Sequence, residues 1–221
     1  MSDSISAIVL AAGRGTRLGA SEPKAYLPLR GKSIILYSLE TFSQCSLISE
    51  LIVVIHPDDT ERARHVLKLE KPVRVVYGGA QRQDSALAGV RAASGDFVLV
   101  HDAARPLVSL GLIERVIAAM KTHGAAVPAL PVADSLKRVS EGFIIADVDR
   151  AELFSAQTPQ GFARELLLEV LERACAQGRY FTDEAGVLLA MSTVRAKVVP
   201  GEAQNIKITT EADWQLAERL V

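Results

Sequence analysis

Cysteine is scarce in this chain, and Cys45 and Cys175 stand far apart in apolar or helical surroundings. Two isolated thiols argue against a disulfide-built scaffold and point to reduced core or surface cysteines. No His/Cys cluster has the spacing of a zinc site, and no nucleophile elbow announces a Ser-His-Asp constellation. No apolar run approaches the roughly 20 residues that a membrane span requires. Met1-Ser2-Asp3-Ser4 lacks a cationic segment leading into an apolar one, so no signal peptide is expected and the cytoplasm is the default. Charge of one sign is missing as well: 25 Lys and Arg face 26 Asp and Glu, a net charge of −1. Without a basic run or a basic-aromatic surface, neither nucleic acid nor an anionic membrane is an expected partner. Internal repeats and low-complexity linkers are also absent. What remains is an ordinary globular composition, 49% apolar and 23% charged over 221 residues, read as a single domain spanning 1–221.

The most informative stretch lies near the start. Ala7-Ile8-Val9-Leu10-Ala11-Ala12 runs as an apolar strand into Gly13-Arg14-Gly15-Thr16-Arg17-Leu18-Gly19, with Pro23-Lys24 soon after. Glycines let backbone N–H groups turn inward, and such a concavity suits an anion. The added cations suit one with several charges, such as a triphosphate. Two familiar phosphate loops fail on spacing. A dinucleotide fingerprint wants glycine where Leu18 stands, and a Walker loop wants Gly-Lys-Ser/Thr there. A plain glycine-rich turn with solvated cations is the alternative for this loop taken alone.

Further along, apolar runs alternate with helical patterns. Strands are expected over 5–11, 51–55, 73–77, 97–100 and 125–130, with helices over 33–42, from 60 to about 69, 81–93 and 109–122. Continuous β-branched runs separated by helices imply an open, doubly wound α/β sheet, mostly parallel and covered on both faces. Ligands in such sheets sit beyond the carboxyl ends of the strands. The Gly13 loop, Gly78-Gly79-Ala80-Gln81-Arg82 and His101-Asp102 all follow strand ends, so they should converge on one cleft. The rhythm breaks after residue 130. Residues 135–139 and 143–148 read as a hairpin turning at Glu141-Gly142. With no helix to cover it, the region 132–152 is either an arm projecting onto a partner subunit or a local hairpin lying on its own domain. Helices over 163–177 and 183–191, a strand over 194–199 and a helix over 210–221 complete the pattern, with Asn205-Ile206-Lys207-Ile208-Thr209 read as a short apolar strand.

Several side chains could carry chemistry. Arg17 and Lys24, held over a polyphosphate, would stabilise charge growing on a departing pyrophosphate. Asp102 follows a buried strand and opens no helix, so its carboxylate could hold Mg²⁺ or orient a substrate hydroxyl. His101 reads instead as a packed structural residue. Ser85 could read a base or merely cap its helix. Thr182-Asp183-Glu184 looks like a helix start with acidic first-turn residues. Lys207, in an apolar segment with no opposite charge beside it in sequence, wants an anionic partner such as a ligand phosphate.

Taken together, Leu10-Ala11-Ala12-Gly13-Arg14-Gly15-Thr16-Arg17 with Pro23-Lys24, Gly78-Gly79 with Arg82 and Ser85, His101-Asp102-Ala103-Ala104-Arg105-Pro106, Thr158-Pro159-Gln160, Thr182-Asp183-Glu184-Ala185 and Asn205-Ile206-Lys207 resemble the 2-C-methyl-D-erythritol 4-phosphate cytidylyltransferases. The resemblance runs from about residue 5 to the end, with the motifs in the same order. It implies a nucleotide-diphospho-sugar transferase-like fold and transfer of CMP from CTP to methylerythritol phosphate, with pyrophosphate released. It implies that Leu10, Ala11, Ala12, Gly13, Gly15, Gly79, Ser85 and Ala103 bind the nucleotide, and that Arg17, Lys24, Lys207 and Asp102 form the catalytic set. Asp102, Arg105, Ser135, Arg150, Thr158, Thr182 and Lys207 would bind the acceptor, with Ser135 and Arg150 reaching across from the arm of a homodimer. Mg²⁺ or another divalent cation would be held mainly by CTP phosphates. Two departures stand out: Ala80 occupies a position often acidic in the family, and Ser135 one where threonine is common. The nearest rival is the sister enzyme that loads CTP onto ribitol or ribulose 5-phosphate, which tends to differ at the His101 and Thr182 motifs. A non-catalytic nucleotide-binding regulator would be expected to have lost Arg17, Lys24 or Lys207.

Overall fold

The computed structural model describes residues 3–13, 22–67, 69 and 71–221; Arg14 to Ser21, and with them Gly15 and Arg17, lie outside the described residues. Strand β1 (Ile5–Leu10) leads to the glycine loop. After a 3-10 turn over Lys24–Tyr26 come β2 (Pro28–Leu29), β3 (Lys32–Ser33), α1 (Ile34–Gln44), β4 (Glu50–Ile55), α2 (Thr60–Val66), β5 (Val73–Tyr77) and α3 (Arg82–Ala92). The chain continues through β6 (Phe97–Asp102), α4 (Leu110–His123), β7 (Ala125–Pro131), β8 (Leu136–Ser140), β9 (Phe143–Val148), β10 (Phe154–Ala156) and β11 (Gln160–Ala163). It closes with α5 (Arg164–Ala176), α6 (Glu184–Met191), β12 (Lys197–Pro200) and α7 (Glu211–Leu220).

The main sheet has the order β10-β7-β11-β6-β1-β4-β5, with β12 also paired to β7. β6, β1, β4 and β5 run parallel, as does β12 beside β7, so the expected mostly parallel α/β sheet is present. Because side chains alternate across a strand, each strand feeds two cores. Ala7, Val9, Leu51, Val53 and Leu99 face α1 and α4 through Leu39, Phe42, Ile113 and Val116. Ile8, Ile52, Val54, Val98 and Val100 face α3, α5 and α6 through Leu87, Val90, Leu167, Leu171 and Leu188. Burial on both faces is the physical reason these strands read as unbroken apolar runs.

Some expectations need correction. β10 and β11 are strands that no local pattern in 154–163 announced, Thr158-Pro159-Gln160 reading only as turn or helix-start chemistry. β11 runs antiparallel between β6 and β7, pairing Gly161 with both Leu99 and Ala126. Its close fit requires glycine: a Cβ on Gly161 would lie 2.6 Å from Met120 Sδ and 2.9 Å from Val116 Cγ1. Residues 205–209 form no strand. Asn205 is buried there because its amide donates to the Thr158 carbonyl at 2.8 Å, and Ile208 N–H bonds the Ala104 carbonyl at 2.9 Å. Side-chain and loop bonds, rather than a ladder, hold this segment. The β8–β9 hairpin forms its own sheet, separate from the main one, and turns at Glu141 (φ 50°) and Gly142 (φ 85°). Both cysteines are free. No described helix is long and apolar enough to cross a membrane.

Candidate active site

Three loops meet at the carboxyl ends of the parallel strands. Ala11 N–H continues the ladder to Val54 O at 2.8 Å, Gly78 N–H bonds Ile55 O at 2.8 Å, and Ala103 N–H bonds Leu10 O at 3.1 Å. The cavity they enclose is lined by Leu10–Gly13, Lys24, Ala25, Gly79–Arg82, Ser85, Asp102–Ala104 and Lys207. The expected convergence is therefore present. Gly78 makes the close approach possible: a Cβ there would sit 2.5 Å from Ser85 Oγ and 2.7 Å from Ala12 Cβ. Ser85 does not cap α3. Gln81 does that, in a reciprocal box with Asp84. The Ser85 hydroxyl instead accepts from Gly79 N–H and donates to the Gln81 carbonyl, both at 3.2 Å, so it shapes the loop beside the cavity.

The charged centre is Asp102, at the end of β6. Arg82 donates to its Oδ1 through Nε at 3.1 Å and Nη2 at 3.0 Å, while Lys207 Nζ donates to Oδ2 at 2.6 Å. Burial alone would raise this carboxyl, but Arg82 and then Lys207 more than reverse it and hold Asp102 well below the usual carboxylate range. Lys207 thus has its anionic partner 105 positions away in sequence. Lys24 Nζ donates to Ile208 O at 2.5 Å, which brings the second lysine to the same wall. Arg82 also bonds Glu184, Nη1 to Oε1 at 2.7 Å and Nη2 to Oε2 at 3.1 Å. Sequence reading took Arg82 only as part of a motif and Glu184 only as a first-turn acid, because an ion pair spanning 102 positions leaves no local signal.

A layer of hydrogen bonds beneath the cavity joins the remaining motifs. Thr158 Oγ1 accepts from Asp102 N–H at 3.1 Å and contacts His101 Nδ1 at 3.0 Å. The other ring nitrogen of His101 lies 3.0 Å from the Arg105 carbonyl, which can only accept. The imidazole is therefore protonated at Nε2, and Thr158 donates to Nδ1. Arg105 donates through Nη1 to Asn205 O at 2.7 Å. Burial lowers the Arg105 guanidinium from its ordinary value. Its Nε is buried without a hydrogen-bond partner. Gln160 ties the start of β11 to α6, donating to Asp183 Oδ2 at 2.8 Å and accepting from Ala185 N–H at 3.0 Å.

His101 is fully buried, packs edge-on to Phe42, and is pushed down to about 4 by desolvation. A depressed value means that the fold favours the neutral ring, while the unfolded chain takes up a proton near 6.5. Its stabilising contribution is therefore complete above pH 6.5, lost as pH falls toward 4, and on the order of 3 kcal/mol in all. NMR of the ring carbons should show neutral imidazole down to about pH 5, and a ring titrating at its ordinary value would disprove this.

The structure brings together Leu10, Ala11, Ala12, Gly13, Lys24, Gly79, Ser85, Asp102, Ala103 and Lys207. Thr158 and Arg105 sit just beneath, Thr158 bonded to the Asp102 N–H and Arg105 to the Asn205 carbonyl. Ser135, Arg150 and Thr182 are exposed and do not line this cavity. Both oxygens of Asp102 are taken by cations, and among the described residues no group of three or more His, Cys, Asp or Glu could hold a metal. The donor set does not fit a divalent cation held by these residues.

Comparison with known proteins agrees with this geometry. The family model for 2-C-methyl-D-erythritol 4-phosphate cytidylyltransferase (IspD) matches residues 5–221. The chain is 45% identical to a bifunctional IspD/IspF enzyme of Rhodospirillum rubrum, over 98% of this chain and 56% of that protein. It is 38% identical to a 2-C-methyl-D-erythritol 4-phosphate cytidylyltransferase of Symbiobacterium thermophilum, over 98% of this chain and 92% of that protein. The chain thus spans about half the length of the bifunctional relatives and nearly all of the shorter ones. Among solved structures, 4-diphosphocytidyl-2C-methyl-D-erythritol synthase from Anaerococcus prevotii superposes with a TM-score of 0.87 at 30% identity, over 100% of this chain and 99% of that one.

Proposed function

The chain belongs to the 2-C-methyl-D-erythritol 4-phosphate cytidylyltransferase family, and on that premise we propose that it transfers CMP from CTP to methylerythritol phosphate. The observation that carries the reading is that Lys24 and Lys207 line one cavity with the Ala11–Gly13 and Gly79 loops, at the end of the parallel strands. The glycine loop would take the triphosphate. Gly79, with the loop shaped by Ser85, would face cytosine. Asp102 and Arg105 would lie where acceptor and nucleotide meet. A phosphate oxygen of the acceptor attacks the α-phosphorus in line and the pyrophosphate leaves with the bond electrons. The attacking oxygen is already ionised, so fixed positive charge matters more than a base. Lys24 and Lys207 supply it, and Arg17, outside the described residues, is assigned to the same triphosphate by family resemblance. A divalent cation would enter with CTP as part of the substrate.

A homodimer is part of the same reading. On the β8–β9 hairpin Phe143 is 74% exposed, Ile144 67% and Val139 58%, an apolar surface of the kind that partner subunits cover. Ser135 and Arg150 flank the hairpin, where they could reach the partner's acceptor site. Phe143→Ser with Ile144→Ser should convert dimer to monomer by sedimentation and abolish acceptor turnover while leaving CTP binding intact. A dimeric variant would count against the arm.

The deciding experiment measures pyrophosphate release with each nucleoside triphosphate and with methylerythritol 4-phosphate, ribitol 5-phosphate or ribulose 5-phosphate. Release requiring CTP and methylerythritol phosphate together supports the proposal. Use of a pentose or pentitol phosphate alone transfers the assignment to the sister activity. CTP binding without turnover points to a regulator.

A further inference from the structure

We propose that Glu184 is a positioning residue for the transfer step, acting through Arg82 on Asp102 and Lys207; this rests on the cytidylyltransferase reading. Glu184 opens α6 with a side chain only 1% exposed. A first-turn carboxylate that merely complemented a helix dipole would gain nothing from burial, and the cap is already made by Asp183, which accepts from Gly186 N–H at 2.9 Å. Gln160 fixes the same helix end by bonding both Asp183 and Ala185. The position of Glu184 is therefore set by the frame around it.

Both oxygens of Glu184 receive Arg82, at 2.7 and 3.1 Å. A guanidinium is a rigid planar fork, so pinning one edge aims the other. The aimed edge, Nε and Nη2, falls on Asp102 Oδ1 at 3.1 and 3.0 Å. That leaves Oδ2 alone for Lys207, at 2.6 Å. Glu184 thus decides which oxygen of Asp102 faces the lysine and hence where the ammonium waits. It also balances the charge of Arg82, which lines the cavity. With two cations and two carboxylates in the cluster, the charge left to meet phosphate is set by geometry and not by excess.

The test compares Glu184→Gln, Arg82→Lys and the double variant in steady-state assays, with CTP affinity by calorimetry and thermal unfolding alongside. Each single change is expected to lower kcat about 10-fold or more while the CTP Kd moves by less than about 3-fold. Arg82→Lys keeps the charge and loses only the fork. The double variant should be no slower than the slower single, because both changes break one chain of contacts. Multiplying losses, an equal loss of CTP affinity, or a lowered Tm with unchanged kcat would each overturn the proposal. If the wild-type enzyme accepts ribitol 5-phosphate in place of methylerythritol phosphate, the functional reading falls. The same cycle with that acceptor then still decides the role of Glu184.

Discussion

Lys24→Ala is expected to lower kcat for pyrophosphate release by about 10²–10³-fold, the cost of removing one preorganised electrostatic contact from a reacting site. Lys24 lies on the 3-10 turn after the glycine loop, and its Nζ rests 2.5 Å from Ile208 O, one residue beyond Lys207. Two ammonium groups are thereby fixed on one wall of the cavity before substrate arrives. As the bond to the α-phosphorus breaks, negative charge accumulates on the departing pyrophosphate, and a cation already in place needs no reorganisation. The side chain is half-buried, and Ala25 and Tyr26 carry the packing of the turn, so the variant should fold normally. A matching Tm together with a collapsed kcat is the expected pair of results. A raised KM for CTP with unchanged kcat would show that Lys24 only binds and does not act in the transition state.

Phe162→Ala is expected to destabilise the fold by about 3–5 kcal/mol, a large share of the stability of an ordinary domain. Phe162 is fully buried in the core beneath α5 and α6, on the short strand wedged between β6 and β7. The wedge fits tightly on its other face as well, where Gly161 meets Met120 and Val116, so the neighbours cannot collapse into the space left behind. Urea unfolding should show a lower midpoint with an unchanged m-value. A shift below about 1 kcal/mol would mean that the core refills around the missing ring. Because Phe162 packs in the core beneath α5 and α6 and does not line the cavity, the surviving folded fraction should keep its activity.

How much of this was legible beforehand differs by element. β1, β4, β6 and β7 announced themselves because both their faces are buried, which leaves unbroken apolar runs. β11 did not: Gln160-Gly161-Phe162-Ala163 has one large apolar residue and a glycine, and it becomes a strand only because β6 and β7 offer it two ladders. Residues 205–209 erred in the other direction, since an alternating apolar pattern is held by the side chain of Asn205 and by contact with Ala104, without strand partners.

The candidate site divides in the same way. The Gly13 loop, the Gly78–Arg82 turn and His101-Asp102 follow strand ends, and strand ends in a parallel sheet share one edge, so sequence order alone assembled them around a single cleft. Ordered motifs likewise determined the family. What only the tertiary structure decided was the wiring: Lys207 on Asp102, Asp102 on Arg82, Arg82 on Glu184, and Thr158 between His101 and the Asp102 backbone. The reason is one of range. Glycine turns and strand periodicity act over a few residues and leave their mark in local spacing. Charge pairing acts through space, and the chain brings its partners together only after the sheet has formed.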